Sequence, residues 1–354
     1  MKSLLVYIFV FFIVFILNII GSKLYHGKKN ISRLFILISF LILLALIGFR
    51  YYVGTDYESY IDIYNKVATL EFNELYLVDI EYGTKVIFKI IYNLFDNQYY
   101  IFIALGLVTL YPIYKANKLY DYEYLPFSVL TFCLMFLPFD LNGMRQGVAM
   151  SFIILSFAYL FKDKKIMAFI SFAIAFLFHK SAILLLPYLG LFMIKKGKSS
   201  LIYSISFTLI LSFLLLFFND AMMRLGIVSD YEYLLSGLDI DNITYKNIIL
   251  YIPFIFLIIV YDPKVERISE LKGLFISSMI LLVLGTSKQY LSRISLYHMM
   301  FLIILIPMII KNINNKTYKY IIEILYIIYL LYYFIHEFYT LGIHEIFPYQ
   351  TWVI

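Results

Sequence analysis

Residues 34–49 read LFILISFLILLALIGF, and residues 50–60 continue as RYYVGTDYESY. The first segment is apolar and about long enough to cross a lipid bilayer. The second brings a cation, a glycine and an anion to the membrane surface within seven positions, as Arg50, Gly54 and Asp56. Charge at the end of a membrane span is costly unless it faces protein or water, so this segment is a candidate functional site.

The composition of the whole chain is that of a membrane protein. Of its 354 residues 63% are hydrophobic and only 15% are charged, and the mean hydropathy is +0.86, whereas about a quarter of the residues in a soluble domain are charged. The net charge of +6 comes from basic residues in short loops, which indicates membrane orientation and no nucleic-acid partner.

The sequence shows no motif for a metal or a cofactor. Its single cysteine, Cys133, lies inside an apolar segment, so a disulfide framework and a thiolate metal site are both excluded. No His, Cys and carboxylate residues have metal-ligand spacing, and no GxxxxGK[ST] phosphate loop is present. We therefore predict neither metal nor cofactor, and energy for any reaction must come with the substrate.

Apolar segments recur along the chain and predict about twelve transmembrane helices, with a range of 10 to 14. They cover residues 4–20, 34–49, 99–114, 125–139, 146–161, 166–178, 181–194, 201–218, 247–260, 273–286, 294–310 and 320–335. The first lacks the cleavage pattern of a signal peptide and is expected to be a span. Residues 84–95 instead predict an amphipathic helix that is interfacial or half-inserted. The expected fold is all-α and polytopic, a single transmembrane domain over residues 1–354.

The distribution of charge predicts the orientation. Eighteen of the 29 basic residues lie in alternate short loops, which the positive-inside rule assigns to the cytoplasm. The remaining loops carry most of the acidic residues. Both chain ends and the two long loops, 50–83 and 219–246, are therefore expected on the external side, as parts of the same domain.

Four cations are predicted on the external face, where the topology rule disfavours them: Arg50, Arg145, Lys180 and Arg293. Arginine and lysine side chains at one surface are suited to binding phosphate oxygens. Each taken alone could equally contact lipid headgroups. The acid–base candidates on the same face are Asp56, Glu81 and His179, although acids in this loop could be solvated and the histidine could be an interfacial hydrogen-bonding group.

Three segments carry a resemblance to a known family. They are RYYVGTDYESY at 50–60 with EYG at 81–83, NGMRQGVA at 142–149, and FHKSAIL at 178–184. In their order along a polytopic chain these segments resemble the EpsG family of exopolysaccharide and O-antigen polymerases, which are Wzy-type membrane proteins. The resemblance covers the chain from about residue 35 to its end and implies a fold similar to multi-span GT-C-like glycosyltransferases.

The resemblance implies a reaction at the outer face of the bacterial cytoplasmic membrane. Such polymerases move a polyprenyl-pyrophosphate-linked oligosaccharide onto another lipid-linked repeat unit, for capsule, O-antigen or exopolysaccharide synthesis. A flippase and a chain-length regulator are expected as partners in an envelope assembly complex, besides membrane lipid.

The resemblance also implies roles for individual residues. Arg145 and Arg293 would bind pyrophosphate, with Arg50 and Lys180 supporting them. Asp56 is the favoured general base, because similar glycosyltransferases place an acid in the first long external loop; His179 is second and Glu81 third. The residues expected to bind substrate are Tyr57, Gln146 and Tyr297.

Other functions are compatible with parts of the sequence. A lipid-linked oligosaccharide flippase or other transporter would favour ionisable or helix-breaking groups near mid-span, and the apolar segments hold few. A ligase-type membrane glycosyltransferase would use the same donor with a different acceptor. A non-catalytic scaffold would need no external cation site.

Overall fold

The structure is a computed structural model, and it describes residues 2–95, 97–217, 246–286 and 289–352. Within these residues the chain forms helices and no sheet, which confirms the all-α class. The first helices are α1 (Lys2–Leu24), α2 (Lys29–Gly48), α3 (Tyr57–Ala68), α4 (Tyr82–Leu94), α5 (Tyr100–Tyr120), α6 (Leu125–Thr131), α7 (Leu137–Asn142), α8 (Met144–Phe161) and α9 (Lys165–Phe178). The remaining helices are α10 (Leu186–Ile194), α11 (Lys198–Phe217), α12 (Lys246–Ile249), α13 (Ile252–Val260), α14 (Ile268–Leu284), α15 (Gln289–Met299), α16 (Leu302–Lys311) and α17 (Lys316–Phe334).

Seven helical segments of the described chain are long and apolar enough to cross a membrane, which confirms a polytopic membrane protein. They are Lys2–Leu24, Lys29–Gly48, Tyr122–Asn142, Met144–Phe161, Lys198–Leu216, Tyr290–Lys311 and Lys316–Thr340. The other five predicted spans also fall on helices, including the shorter apolar segments Lys165–Phe178 and Lys180–Ile194. The count of twelve spans and the external position of both chain ends stay predictions.

Burial separates central helices from peripheral ones. In Met144–Phe161, 83% of the most apolar 18-residue stretch is buried inside the protein, against 28% in Lys2–Leu24 and in Lys316–Thr340. A helix that is apolar on all sides belongs either in a core or against lipid. The structure therefore places α8 at the centre, packed on α5 and α9, while α1 and α17 present leucine, isoleucine and phenylalanine outwards.

The central segment Tyr122–Asn142 is irregular. A π-helical turn, Phe132–Phe136, separates α6 from α7, and Pro138 lies at the start of α7. Proline has no N–H to donate, so the regular helix ladder is interrupted there. After Asn142 the chain turns at Gly143 and immediately begins α8. This turn brings the NGMRQ motif to one end of the bundle.

The end of the chain folds back onto the loop after α2, which the sequence did not predict. Tyr51 N donates to the Gln350 carbonyl at 2.9 Å, and Trp352 N donates to the Phe49 carbonyl at 3.1 Å. The Trp352 indole Nε1 also donates to the Gly48 carbonyl at 2.9 Å. We call residues 342–352 the closing segment, because they cover the loop on one side.

The two predicted external loops have different outcomes. Residues 50–83 form α3 and a 3-10 turn at Phe72–Leu77, and they pack on α4. The amphipathic helix predicted at 84–95 is α4, and its lysine face points inward: Lys85 Nζ donates to the Val78 carbonyl at 2.8 Å and Lys89 Nζ to the Ala68 carbonyl at 3.2 Å. The loop predicted at 219–246 lies, except for Lys246, outside the described residues.

Candidate active site

Two glycines of the predicted motifs bring separate helices into close contact. Gly54 has a φ of +92°, and a Cβ there would lie 2.8 Å from the Leu141 carbonyl oxygen. A Cβ on Gly83, in the first turn of α4, would lie 2.9 Å from the Leu177 carbonyl oxygen near the end of α9. Only glycine permits both approaches without displacing backbone. The loop after α2 therefore meets the end of α7, and α4 meets α9.

Arg50 is fully buried beneath this loop. Its Nη1 donates to the Val53 carbonyl at 2.7 Å and to the Leu141 carbonyl, and its guanidinium lies 4.7 Å from the centre of the Phe102 ring. Burial lowers the pKa of Arg50 to about 10, so the side chain stays charged at neutral pH. A buried charge needs such partners, and in this structure Arg50 holds the loop against α7.

Arg145 and Glu81 form an ion pair at the centre of the site. Arg145 Nη1 contacts Glu81 Oε2, and their side chains are 25% and 11% exposed. Glu81 immediately precedes α4, while Arg145 lies in the first turn of α8. Burial alone would raise the pKa of Glu81, but the neighbouring charges, Arg145 foremost, lower it below the usual value. Glu81 is therefore a carboxylate that orients the guanidinium.

His179 lies beside this pair, at the end of α9. Its Nδ1 is 2.7 Å from Ser181 Oγ, which donates to the Tyr297 hydroxyl at 3.3 Å. With the proton on Nδ1 the imidazole donates to Ser181 and Nε2 is the acceptor, whereas in the other tautomer Nδ1 accepts from Ser181. Burial lowers the pKa of His179 to about 4, so the imidazole is neutral at pH 7.

Asp56 lies at the start of α3 with its side chain exposed. Desolvation by the surrounding protein raises the pKa of the Asp56 carboxyl, although the charges of Arg293 and Arg145 act in the opposite direction. The same two arginines also disfavour the protonated form of His179. Asp56, His179 and both arginines therefore share one electrostatic environment.

Arg293 and Lys180 complete the set of predicted cations. Gln146 Nε2 donates to the Arg293 carbonyl at 2.7 Å, which joins α8 to α15 beside the ion pair. Arg293 is half-buried. Lys180 is exposed. The pKa of Lys85, one turn along α4 from Glu81, is lowered mainly by burial and also by the charge of Lys180. Lys180 therefore borders the site from the outside.

The two tyrosines predicted to bind substrate lie inside the protein. Tyr57 is 2% exposed and stacks on Phe102, with ring centroids 4.4 Å apart, while its hydroxyl donates to the Arg50 carbonyl at 3.4 Å. Tyr297 is fully buried and accepts from Ser181. In this structure both side chains support neighbouring site residues.

Two further residues belong to the site and had no role assigned from the sequence. Asn142 Oδ1 accepts from Thr55 Oγ1 at 2.6 Å and from Asp56 N at 2.8 Å. The amide nitrogen of Asn142 lies 3.4 Å from His344 Nδ1 in the closing segment. An asparagine before a glycine at the end of a span was a usable signal for Asn142. No sequence pattern pointed to His344, which reaches the site only through the fold.

Within the part of the chain that the structure describes, no three His, Cys, Asp or Glu side chains are grouped so as to hold a metal ion. The absence of a metal and of a cofactor from the reaction stays a prediction. The polar groups present can bind an anion and accept a proton.

Comparison with known proteins bears on this arrangement. The sequence model of the EpsG family matches residues 33–351. The chain belongs to the EpsG family. The match includes Arg50, Asp56, Glu81, Arg145 and His179, and this EpsG-family chain is thereby assigned to polysaccharide biosynthesis as a membrane protein. Searches of curated proteins and of solved structures found no match.

Proposed function

We propose that this protein is a Wzy-type polymerase, which transfers a polyprenyl-pyrophosphate-linked oligosaccharide onto another lipid-linked repeat unit. The observation that supports this most is the convergence of Arg145, Arg293, Asp56 and His179, in which Asp56 precedes α3 and Arg145 lies in the first turn of α8. Helix N-termini and arginines together favour a bound anion. The reaction takes place at the external face of the bacterial cytoplasmic membrane, with capsule, O-antigen or exopolysaccharide as product.

The reaction breaks the bond between the donor anomeric carbon and the pyrophosphate oxygen. A new bond forms from that carbon to the acceptor hydroxyl oxygen, and the hydroxyl proton passes to a general base. The departing polyprenyl pyrophosphate gains negative charge, which Arg145 and Arg293 stabilise electrostatically. The donor supplies its own leaving group, so no nucleotide is needed.

Asp56 is the proposed base. Its carboxyl is exposed and has a raised pKa, so it reaches the acceptor and binds a proton more readily than an ordinary aspartate. Glu81 is less suited, because its charge is already paired with Arg145. His179 is the second candidate, because in its Nδ1–H tautomer Nε2 can accept the proton.

The other predicted site residues have supporting roles in this proposal. Arg50 and Tyr57 fix the loop that carries Asp56, while Gln146 and Tyr297 hold Arg293 and Ser181 in place. Lys180 attracts the anionic donor from outside. A flippase and a chain-length regulator are the proposed partners in the envelope.

Complementation of a deletion strain tests the function. The gene is deleted in its own host and restored as wild type or as Arg145→Ala, and surface polysaccharide and lipid-linked intermediates are analysed on gels. We expect long chains with the wild type and single lipid-linked repeat units with Arg145→Ala, because removing one charge-stabilising donor costs about 10²–10³ in rate. Arg33→Ala, at an exposed arginine near the opposite end of α2, is the matched control and should restore long chains.

The deletion strain itself separates the alternatives. Repeat units trapped on the cytoplasmic side would identify a flippase, and normal polymer that fails only to reach its final acceptor would identify a ligase. Either result would contradict a polymerase.

A further inference from the structure

A cavity of about 840 Å³ lies between the end of α3, the end of α4 and the start of α5. Tyrosine rings and side-chain amides line it, together with the apolar side chains of Leu94 and Phe95; the former are Tyr64, Tyr92, Asn93, Asn97, Gln98 and Tyr99. These residues lie apart from the ion pair, because Glu81 is at the N-terminal end of α4 and Tyr92 is near its C-terminal end. At 1.5 Å per residue the two ends of this 13-residue helix are about 20 Å apart.

The chemistry of the walls suits a carbohydrate. One face of a sugar ring carries C–H groups that pack on aromatic rings, and its hydroxyls both donate and accept, as amides do. Tyr92 is 48% exposed, so its ring is available to a ligand. The Lys89 ammonium lies 4.9 Å from the centre of the Tyr92 ring and is anchored on the Ala68 carbonyl, which holds this wall in place.

The cavity is connected to the candidate active site by α3. Asp56 precedes this helix, Tyr60 accepts from Arg145 N at 3.3 Å, and Tyr64 lines the cavity one turn later. A chain of a few sugars could therefore extend from the reacting hydroxyl near Asp56 to the tyrosines.

We infer that this cavity is a second binding site that holds glycan several sugars away from the reacting end. The assignment of glycan as ligand rests on the proposed function. The cavity keeps hold of an oligosaccharide during successive transfers, so it sets the length of the product and takes no part in the chemical step.

The single tryptophan of the chain provides a direct assay. Trp352 stacks on Tyr99, with ring centroids 5.5 Å apart at 27°, so occupation of the cavity should change its fluorescence. The probe is a set of size-fractionated oligosaccharides obtained by mild acid hydrolysis of the host's surface polysaccharide. The protein is held in lipid nanodiscs, because detergents with sugar headgroups would compete.

We expect a saturable change in fluorescence that is lost in Trp352→Phe. Tyr92→Ala and Gln98→Ala should each raise Kd about tenfold, because each removes one recognition element. Tyr76→Ala, at a 75% exposed tyrosine of the same external region, is the matched control and should leave Kd unchanged. In cells, the two cavity variants should make shorter polymer while still joining the first repeat units.

The outcomes separate this inference from the proposed function. Arg145→Ala should bind the oligosaccharides normally while making no polymer. Wild-type protein that restores long chains yet shows no saturable binding, or responds to dihexanoyl phosphatidylglycerol instead of glycan, would overturn the inference and leave the polymerase standing. A deletion strain with normal polymer would overturn the function, whatever the fluorescence shows.

Discussion

The pairing of Arg145 with Glu81 indicates different roles for the two side chains of the candidate site. The carboxylate contacts one guanidinium nitrogen, and an arginine offers several further N–H donors in a fixed plane. Arg145 can therefore stay oriented and still bind phosphate oxygens. In the proposed reaction Glu81 is then a positioning residue, whereas sequence reasoning alone had to keep it as a third candidate for the base.

Substitution of Glu81 distinguishes these roles. Glu81→Gln keeps the shape and one acceptor oxygen, so polymer formation should fall only about tenfold, well short of the loss in Arg145→Ala. Asp56→Asn removes the proposed base and should cost about 10²–10⁴. Quantified polymer from the complemented strain measures both effects. If Glu81→Gln were as defective as Asp56→Asn, with equal protein levels, Glu81 would become the candidate base.

His179 makes stability depend on pH. Its pKa is about 4 in the folded protein and about 6.5 in an unfolded chain, so the unfolded state takes up the proton first as pH falls. Folded protein should therefore lose stability between pH 6.5 and 4. The melting temperature of purified protein should drop less over this range in His179→Gln, by roughly a few degrees. His26→Gln, at an exposed histidine, is the control and should follow the wild type.

Some contacts between secondary-structure elements at the site could be predicted from the sequence, and others could not. Gly54 and Gly83 both lie in the motifs found in the sequence, and the structure shows that each allows a close approach of backbone from another helix. Apolar runs predicted the helices that end at the site. The closing segment carries no periodic pattern, because its contacts with residues 48–54 are mostly backbone hydrogen bonds between distant parts of the chain. Arg50 was accordingly expected to face substrate, and the structure buries it.

Removal of the closing segment should open the loop after α2. Val53 is fully buried, so in a Cys133→Ser background Val53→Cys should react slowly with a maleimide. Deleting residues 346–354 removes Trp352 and Gln350, which hold Phe49 and Tyr51, and should speed labelling at least about tenfold through local opening. Leu43→Cys, buried within α2, is the matched control. Equal rates at Val53 with and without the segment would contradict the closing role.

For the whole molecule, composition predicted the all-α polytopic class, since a chain with few charges must bury its backbone in helices within a bilayer. The sequence also placed the acid–base and cationic motifs on one face, and the structure brings Asp56, Glu81, Arg145, His179 and Arg293 together. The sequence could not reveal the tyrosine-lined cavity, because aromatic residues are equally common on the lipid-facing surface. Only packing separates Tyr92 from the tyrosines of α17.

Orientation can be measured in intact cells. In the Cys133→Ser background, Glu58→Cys at the exposed start of α3 should react with a membrane-impermeant maleimide added outside. Lys164→Cys, in an exposed turn between α8 and α9, should react only after the membrane is permeabilised, because the positive-inside rule places it in the cytoplasm. The reverse pattern would move the candidate site to the cytoplasmic face and remove the basis for an external polymerase.

The closing segment also fixes when the loop beside Asp56 is completed during synthesis. Trp352 and Gly48 contact each other across 304 positions of the chain. At a translation rate of about 5–20 residues per second, α2 is made on the order of tens of seconds before its covering residues exist. During that interval Arg50 lacks the backbone that later surrounds its loop. The loop beside Asp56 is therefore completed only after nearly all of the helices have been made.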